Sequence, residues 1–299
     1  MSIKNYFLRL YIKFFHYYFV CEEEDLLFIL SAGRSGSTLL QLKLEQTGEV
    51  TIMPETDSSF ENAFFHYCKY FLFRSKYQLL KEVLLIFSKG KNWDAMQIDS
   101  NKFIESYWLK HDKLNFGNIL YHLYSTYKEY LNPEAKYIGE KNPFLTFYLP
   151  YLILIFPQAR FIHIIRDGRD VACSWNTSFK KYKNIDNAAK RWAFVTNLIQ
   201  NLKPSFKNRL LEIKYEEFVI NEQNTKSNLG NFLDISFDRK INLKNLKSSK
   251  KDLLHKHHHG VFEPNHTSSI EKWRKLNKVD LLKLNKLLQP QLKRYKYIE

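Results

Sequence analysis

The sequence predicts a three-layer α/β fold in which a mostly parallel sheet lies between two layers of helices. Two short apolar runs, Leu26 to Ser31 and Arg160 to Ile165, have the length and composition of buried strands. Each run is followed directly by a glycine-containing turn and then by a helical pattern. Strands that alternate with helices in this way are typical of a parallel sheet that is covered on both faces.

The other elements follow from the same patterns. The first run leads into a helix at 39–44, and a second strand ends at Met53 and Pro54. A long stretch of aromatic and Lys-rich helical periodicity then predicts a helical insertion at about 57–131, which would cap the carboxyl ends of the strands, where such sheets bind ligands. The remaining predicted elements are strands at 137–139 and 210–213 and helices at 144–156, 188–202, 222–233 and 281–292.

The charge of the protein indicates an anionic partner. Its 46 Lys and Arg residues stand against 31 Asp and Glu residues, so the formal net charge is +15. Nucleic acid, an acidic membrane surface and a polyanionic small molecule would each suit such a surplus. A codon bias toward lysine explains the surplus equally well. The motifs described below favour a small molecule, and we expect no nucleic-acid partner.

The cysteines predict a reducing environment. Cys21, Cys68 and Cys173 are widely separated and have neither a CxxC pair nor a zinc-ligand spacing. An odd number of cysteines without a framework predicts free thiols and a cytoplasmic protein.

The first twenty residues form a segment of their own, followed by a single predicted domain at 21–299. Within 5–20, aromatic residues surround a stripe that contains Arg9, Lys13 and His16, which predicts an amphipathic helix. The helix is too short and too charged to span a bilayer, and it lacks the features of a signal peptide. It could make a peripheral membrane contact, or it could pack on the protein itself, and we favour packing.

A loop that suits an anion follows the first strand. Its sequence, S-A-G-R-S-G-S-T-L-L, runs from Ser31 to Leu40. Gly33 and Gly36 allow close backbone approach, the amides of a following helix point outward, and Arg34 supplies a cation. The loop is P-loop-like but lacks the Walker lysine, which argues against an ordinary kinase or ATPase. A capped helix without a ligand is the alternative.

A second strand-to-helix junction carries a similar set of groups. The segment F-I-H-I-I-R-D-G-R-D-V-A-C-S-W spans Phe161 to Trp175. Arg166 ends the strand and Ser174 lies two turns into the helix, so both could face one phosphate. Alternatively the segment is a cluster that caps the helix, with Arg169 paired to Asp167 and Asp170.

The two motifs together resemble the sulfotransferase family, and the resemblance extends over nearly the whole chain after the first helix. The branch that they resemble includes tyrosylprotein sulfotransferases and bacterial carbohydrate sulfotransferases. The resemblance implies that the first loop binds the 5′-phosphosulfate of 3′-phosphoadenosine 5′-phosphosulfate and that the second segment binds its 3′-phosphate. The residues that it implies for binding this co-substrate are Gly33, Arg34, Ser35, Gly36, Ser37, Thr38, Arg166 and Ser174.

Three further segments resemble elements of that branch. E-K-N-P-F at Glu140 to Phe144 implies that Lys141 is a catalytic cation, although Asn142 stands where the branch has an acid. I-K-Y-E-E-F implies that Tyr215 contacts the nucleotide, and E-K-W-R-K implies that Lys272 closes over the 5′-phosphate. The alternatives are a solvated turn lysine, a core tyrosine and an ordinary surface lysine.

The resemblance also implies a general base, Glu55, in the P-E-T segment after the second strand. A carboxylate there would need to lie within hydrogen-bond reach of the acceptor hydroxyl. The rivals for this role are His66 and the cluster at 255–259, which has four histidines in five positions. No second group with zinc-ligand spacing accompanies this cluster, so we interpret it as a solvated loop. His163, within a buried strand, is interpreted as a hydrogen-bonded core residue.

The resemblance therefore implies an enzyme that transfers a sulfuryl group to an acceptor hydroxyl, with Glu55, Lys141 and Arg34 as catalytic residues. Because the protein supplies the cations, no metal is expected. We expect a glycan or glycolipid acceptor, since aromatic residues of the insertion could stack on sugars, although these residues could equally be part of the core. A peptide tyrosine is the alternative acceptor. A P-loop nucleotide kinase and a non-catalytic polyanion-binding protein are the alternative functions.

Overall fold

The computed structural model of the protein describes residues 3–178, 185–238 and 266–299. Its centre is a five-stranded sheet in which all four pairs of neighbouring strands are parallel. The strands are β1 (Leu26–Leu30), β2 (Val50–Met53), β3 (Tyr137–Lys141), β4 (Arg160–Ile165) and β5 (Leu210–Lys214). Their order is β2-β3-β1-β4-β5, with β1 at the centre. The predicted α/β fold is confirmed.

The apolar run of β1 is continuous because helices cover both of its faces. Alternate side chains of a strand point to opposite faces. Leu26, Phe28 and Leu30 belong to one buried cluster, and Leu27 and Ile29 belong to another. Neither face of this strand meets solvent, as expected for a central parallel strand.

Helices connect the strands and form the outer layers. In chain order they are α1 (Ile3–Phe14), α2 (His16–Phe19), α3 (Ser37–Glu45), α4 (Ser59–Tyr70), α5 (Lys76–Ser88), α6 (Trp93–Met96), α7 (Ser100–Lys110), α8 (Phe116–Leu131), α9 (Leu149–Ile155), α10 (Gly168–Ser178), α11 (Ile185–Phe206), α12 (Tyr215–Ile220), α13 (Glu222–Leu233) and α14 (Lys278–Arg294). Short 3₁₀ helices lie at Leu145–Tyr148, His266–Ser269 and Lys272–Lys275.

The helix predicted at 144–156 is divided in two, a 3₁₀ turn followed by α9. Pro150 is the reason, because it has no backbone N–H and cannot donate to the carbonyl of Thr146 four residues earlier. Proline is tolerated in the first turn of a helix, so α9 begins at Leu149.

The insertion between β2 and β3 consists of α4 to α8, and half of its large aromatic residues are core. The fully or almost fully buried ones are Phe60, Phe64, Tyr67, Phe87, Phe103, Tyr107, Phe116, Tyr124 and Tyr127. These rings pack on one another, as Phe64 does on Phe116 at 5.4 Å between centroids. The expectation that they stack on sugars is therefore wrong for these rings, since they are closed off from solvent.

Helix α1 packs on the body of the protein along α9. Ile12 and Phe19 are fully buried in the same cluster as the insertion, and the Tyr11 hydroxyl donates to the carbonyl of Cys68 at 3.0 Å. The favoured interpretation, packing on the protein, is thus correct for one face of the helix. In the part of the chain that the structure describes, no helix has both the length and the apolar character needed to cross a bilayer.

Candidate active site

Each strand of the sheet brings one predicted site residue to the same edge. Because all five strands are parallel, their carboxyl ends lie together. In the order of the sheet these residues are Glu55 after β2, Lys141 at the end of β3, Arg34 after β1, Arg166 after β4 and Tyr215 after β5. The chain leaves the central strand β1 toward β2 on one side and later returns to β4 on the other, so this edge is a topological switch point.

The loop after β1 bends sharply between strand and helix. Gly33, Arg34 and Gly36 have φ angles of 81°, 57° and 89°, all in the region that L residues rarely adopt. Ser31 Oγ accepts from the amide of Gly33 at 3.2 Å, and Ser35 Oγ donates to the Gly33 carbonyl at 3.3 Å. The loop delivers the chain into α3 at Ser37, and the first amides of a helix have no intrahelical acceptor and favour an anion.

Two of the glycines are required by close packing against aromatic rings. A Cβ atom added at Gly36 would lie 2.3 Å from Cδ2 of Tyr215, and one at Gly33 would lie 3.0 Å from Cζ2 of Trp175. Tyr215 is 4% exposed and its ring also lies 4.9 Å from the guanidinium of Arg166. The loop, the end of β4 and the end of β5 are therefore packed into one unit. Ser37 and Thr38, at the start of α3, are buried within it.

Arg34 and Arg166 lie close together at this edge and donate to uncharged oxygens. Arg34 Nε donates to Ser174 Oγ at 3.1 Å, and Arg166 donates to the carbonyl of Arg34 at 3.1 Å and to the carbonyl of Ser269. Burial and the neighbouring charge of Arg166 lower the pKa of Arg34. Holding two guanidinium groups together is unfavourable by itself, so the arrangement favours an anion between them.

The acidic residues of the second motif pair differently from the alternative interpretation. Asp167 binds Arg169, with Arg169 Nη2 at 2.6 Å from Asp167 Oδ2, as that interpretation expects. Asp170 does not bind Arg169. Its carboxylate lies 3.8 Å from Arg166 and accepts from the amides of Glu271 and Trp273 at 2.8 and 3.0 Å.

Asp170 thereby fixes the late segment beside the arginines. The amides of residues 271 and 273 are held by its carboxylate, and the ring of Trp273 stacks on Arg169 at 3.7 Å. Lys272, between them, has an exposed side chain. The structure thus brings the backbone at Lys272 to the site edge.

Lys141 and Glu55 form an ion pair at the other side of the loop. Lys141 is 9% exposed, because it ends a strand whose five residues are all buried. Asn92 Nδ2 donates to the backbone carbonyl of Glu55 at 2.8 Å and so holds the segment after β2 against the insertion. Two of the three residues that were predicted to be catalytic, Lys141 and Glu55, are therefore in direct contact.

Sequence analysis did not identify the buried carboxylate of Glu140, which organises this pair. Glu140 Oε1 accepts from the amide of Thr56 at 2.6 Å, from its hydroxyl at 2.9 Å and from Asn142 Nδ2 at 2.9 Å. Tyr124 donates to Oε2 at 3.1 Å. Burial raises the pKa of Glu140 to about 7, although these donors oppose the shift. The sequence did offer one indication of this role: Glu140 is a charged residue that directly follows the predicted strand at 137–139, and a buried charge needs partners.

A cation was also missed. Arg191 of α11 donates from Nε to the carbonyl of Ala32 at 3.2 Å, and its guanidinium lies over the rings of Phe147 and Trp175 at 4.5 and 5.4 Å. It therefore supports the loop after β1 from the helix layer. Nothing in the sequence around it distinguishes it from other helix arginines.

The rival bases have other partners or other positions. His66 Nε2 lies 2.9 Å from Glu82 on the insertion, and the buried His163 lies 3.1 Å from Glu212, as expected for a core histidine. The histidine cluster at 255–259 lies outside the described residues. Within residues 3–178, 185–238 and 266–299, no group of three or more His, Cys, Asp or Glu side chains is arranged to hold a metal ion.

Comparison with known proteins identifies a family. Residues 26–239 match the model of a family described as the sulfotransferase family. The sulfotransferase domain of the olefin synthase of Synechococcus PCC 7002 is similar in structure, with a TM-score of 0.57 and 19% identity, over 90% of this chain and 96% of that one. A sulfotransferase domain from the curacin biosynthetic pathway has a TM-score of 0.56 and 18% identity, over 90% and 99%. No curated protein sequence matches the chain.

Proposed function

The chain belongs to the sulfotransferase family, and from that premise we propose that it transfers the sulfuryl group of 3′-phosphoadenosine 5′-phosphosulfate to an acceptor hydroxyl. One observation carries the proposal: two anion-suited sites, the loop at 31–38 and Arg166, follow the neighbouring strands β1 and β4, and the Lys141–Glu55 pair lies on the other side of that loop. A co-substrate with a phosphate at each end fits this row of groups.

The donor would lie across the carboxyl ends of the strands. The first amides of α3, with Ser35, Ser37 and Thr38, suit the 5′-phosphosulfate. Arg166 and Ser174 suit the 3′-phosphate, since a guanidinium binds phosphate through two parallel hydrogen bonds. Tyr215 packs between Gly36 and Arg166 and so sets their separation. Lys272 would close over the donor from the segment that Asp170 holds.

In the reaction, the acceptor oxygen forms a bond to sulfur while the bond from sulfur to the 5′-phosphate oxygen breaks. The products are the sulfate ester and 3′-phosphoadenosine 5′-phosphate, and Glu55 takes the hydroxyl proton. An ammonium group has three donors, so Lys141 can hold Glu55 with one and stabilise the leaving oxygen with another. Arg34 would neutralise charge on the transferred group, as cations do in phosphoryl transfer.

We propose a glycan or glycolipid as the acceptor. Exposed aromatic rings at the edge of the site support this choice, whereas the buried rings of the insertion do not. Phe144, three residues after Lys141, is 49% exposed, and Phe194 of α11 is 54% exposed and stacks on Phe147 at 5.6 Å between centroids. We also propose that the chain belongs to the branch that includes tyrosylprotein and carbohydrate sulfotransferases. We propose further that residues 21–299 form a single domain, preceded by an N-terminal helix at 1–20.

A binding experiment tests the donor. We expect 3′-phosphoadenosine 5′-phosphate to bind in calorimetry and to raise the melting temperature, and ATP to do neither. Gly36→Ala should lose this binding by about a hundredfold or more, because its Cβ would displace Tyr215. Gly48→Ala is the matched control, since Gly48 also has a positive φ of 77° but lies before β2, at the opposite edge of the sheet.

A transfer experiment tests the acceptor. Labelled sulfate from the donor should appear in the glycan or lipid fraction of cell extracts. Label confined to proteins would favour a tyrosine acceptor, and nucleotide binding without label in any fraction would favour a non-catalytic binding protein. Stabilisation by ATP alone would refute the donor assignment.

A further inference from the structure

Helix α1 and the short α2 leave an aromatic face exposed to solvent, opposite the face that packs on α9. Phe7, Leu10, Phe14 and Tyr17 follow one another at spacings of three, four and three residues, which is the repeat of a single helix face. They are 63%, 44%, 83% and 55% exposed, and the adjacent Tyr6 is 53% exposed. We call these five residues the aromatic face.

The loop after α4 extends this surface. Leu72 and Phe73 are 52% and 83% exposed. The preceding residue, Phe71, packs on the helix that carries the aromatic face, with its ring 5.2 Å from that of Phe15 and 5.0 Å from that of Tyr18. Phe15 and Tyr18 in turn contact Phe14 and Tyr17 of the aromatic face, at 4.9 and 5.2 Å between ring centroids, so the exposed residues of the two segments are neighbours. Contiguous exposed rings of this kind mark an interaction site.

The charge of both segments is positive. Residues 1–21 contain Lys4, Arg9 and Lys13 and no Asp or Glu, and residues 62–81 contain four Lys or Arg and no Asp or Glu. Seven of the fifteen surplus positive charges thus fall in these two segments, which touch each other. Acids lie at the ends of both segments: Glu61 forms a hydrogen bond with Tyr148, Glu82 pairs with His66 and Arg74, and Glu22 lies 3.9 Å from His16.

We propose that this surface binds the face of an anionic lipid bilayer. Aromatic residues flanked by lysine and arginine are suited to the interface of a membrane, where the rings enter the headgroup region and the cations meet anionic headgroups. A second copy of the chain is a poor occupant, because pairing the surface with itself would bring seven positive charges against seven. This interaction requires no nucleotide and does not depend on the proposed reaction.

The test is flotation of the full protein with vesicles. We expect binding to phosphatidylcholine vesicles that contain phosphatidylglycerol, little binding to phosphatidylcholine alone, and release by salt. The paired variant Phe7→Ser with Phe14→Ser should bind about tenfold more weakly, and Lys13→Glu should weaken binding further. Leu109→Ser is the matched control, because Leu109 is 86% exposed but lies on α7.

Several outcomes would overturn the proposal. Equal binding to both kinds of vesicle would remove the role of charge, and an equal effect of the control variant would remove the role of the aromatic face. Absence of vesicle binding together with a concentration-dependent dimer would assign the surface to a second copy. Because vesicle binding is measured without donor or acceptor, its failure is distinct from a failure of sulfuryl transfer.

Discussion

The two sides of the site hold their charged groups in opposite ways. On the side formed by the loop after β1 and the ends of β4 and β5, called the β4–β5 side, Arg34 and Arg166 donate to a hydroxyl and to backbone carbonyls. Positive charge is gathered there, and Asp170 lies 3.8 Å from Arg166. On the β2–β3 side, Lys141 is paired directly with Glu55, and the buried Glu140 is surrounded by neutral donors.

This difference corresponds to two roles, binding of an anion and catalysis of the transfer. A region with a standing positive charge suits binding of an anion, because the field is present before the anion arrives. A region in which a cation and a carboxylate are already paired contributes less to binding, but it can accept a proton and stabilise a leaving oxygen during reaction. We therefore expect variants of the β2–β3 side to change mainly turnover and variants of the β4–β5 side to change mainly affinity, with Arg34 itself contributing to both.

The largest effect is expected for Lys141→Ala. It should lower kcat by about a hundredfold to a thousandfold, since removing one donor that acts in the transition state costs roughly 3 to 4 kcal/mol. The affinity for 3′-phosphoadenosine 5′-phosphate should change little, because Arg34 and Arg166 remain. Steady-state kinetics and calorimetry measure the two quantities.

Lys136→Ala is the control for this variant. Lys136 precedes the same strand at its opposite end and pairs with the exposed Asp234. Lys136→Ala should therefore leave both kcat and the affinity for 3′-phosphoadenosine 5′-phosphate unchanged. An equal loss of nucleotide affinity and of kcat in Lys141→Ala would show that binding and catalysis are not separated between the two sides.

The next effect concerns Glu140 and stability. A carboxyl group whose pKa is raised on folding binds its proton more tightly in the native state than in the unfolded state. Its stabilising contribution is complete below pH 4.5 and is lost as pH rises through about 7. That loss amounts to about 3 kcal/mol of the free energy of unfolding.

Glu140→Gln should remove this part of the pH dependence, because the amide does not titrate. Urea unfolding of wild type and variant at about pH 5 and about pH 8 gives the comparison. Glu134→Gln, at an exposed position before β3, serves as the control and should follow wild type. Parallel pH profiles for wild type and Glu140→Gln would contradict the raised pKa.

The β4–β5 side was predictable from sequence to a greater depth than the β2–β3 side. Its anion-binding loop is specified by residues that are close in sequence: β1 is continuously apolar, Gly33 and Gly36 follow it, and a helix starts at Ser37. Local chemistry of this kind is visible along the chain. The strand ends were likewise predicted to within one or two residues at β4 and β5.

The sequence does not indicate which side chains that are far apart along the chain will contact each other in the fold. Glu140 meets Thr56, which is 84 residues away, and Arg34 meets Ser174, which is 140 residues away. Asp170 binds backbone amides near residue 272 instead of the adjacent Arg169. Each of these contacts depends on the strand order β2-β3-β1-β4-β5, which no local pattern specifies. The burial of the insertion's aromatic rings was also undetermined, because periodicity does not say what a helix packs against.

The smallest effect is expected for Ser174→Ala, which tests the neutral partner of Arg34. The Arg34 guanidinium would lose one acceptor at 3.1 Å, while the hydrogen bond from Arg166 to the Arg34 carbonyl would remain. A hydrogen bond to a charged group contributes about 1.5 kcal/mol, so the affinity for 3′-phosphoadenosine 5′-phosphate should fall by about tenfold with kcat little changed. Ser88→Ala, in an exposed part of α5, is the control. If Ser174→Ala instead lowered kcat while affinity held, then Arg34 would act mainly in the transition state, and the positive charge on the β4–β5 side would serve turnover as well as binding.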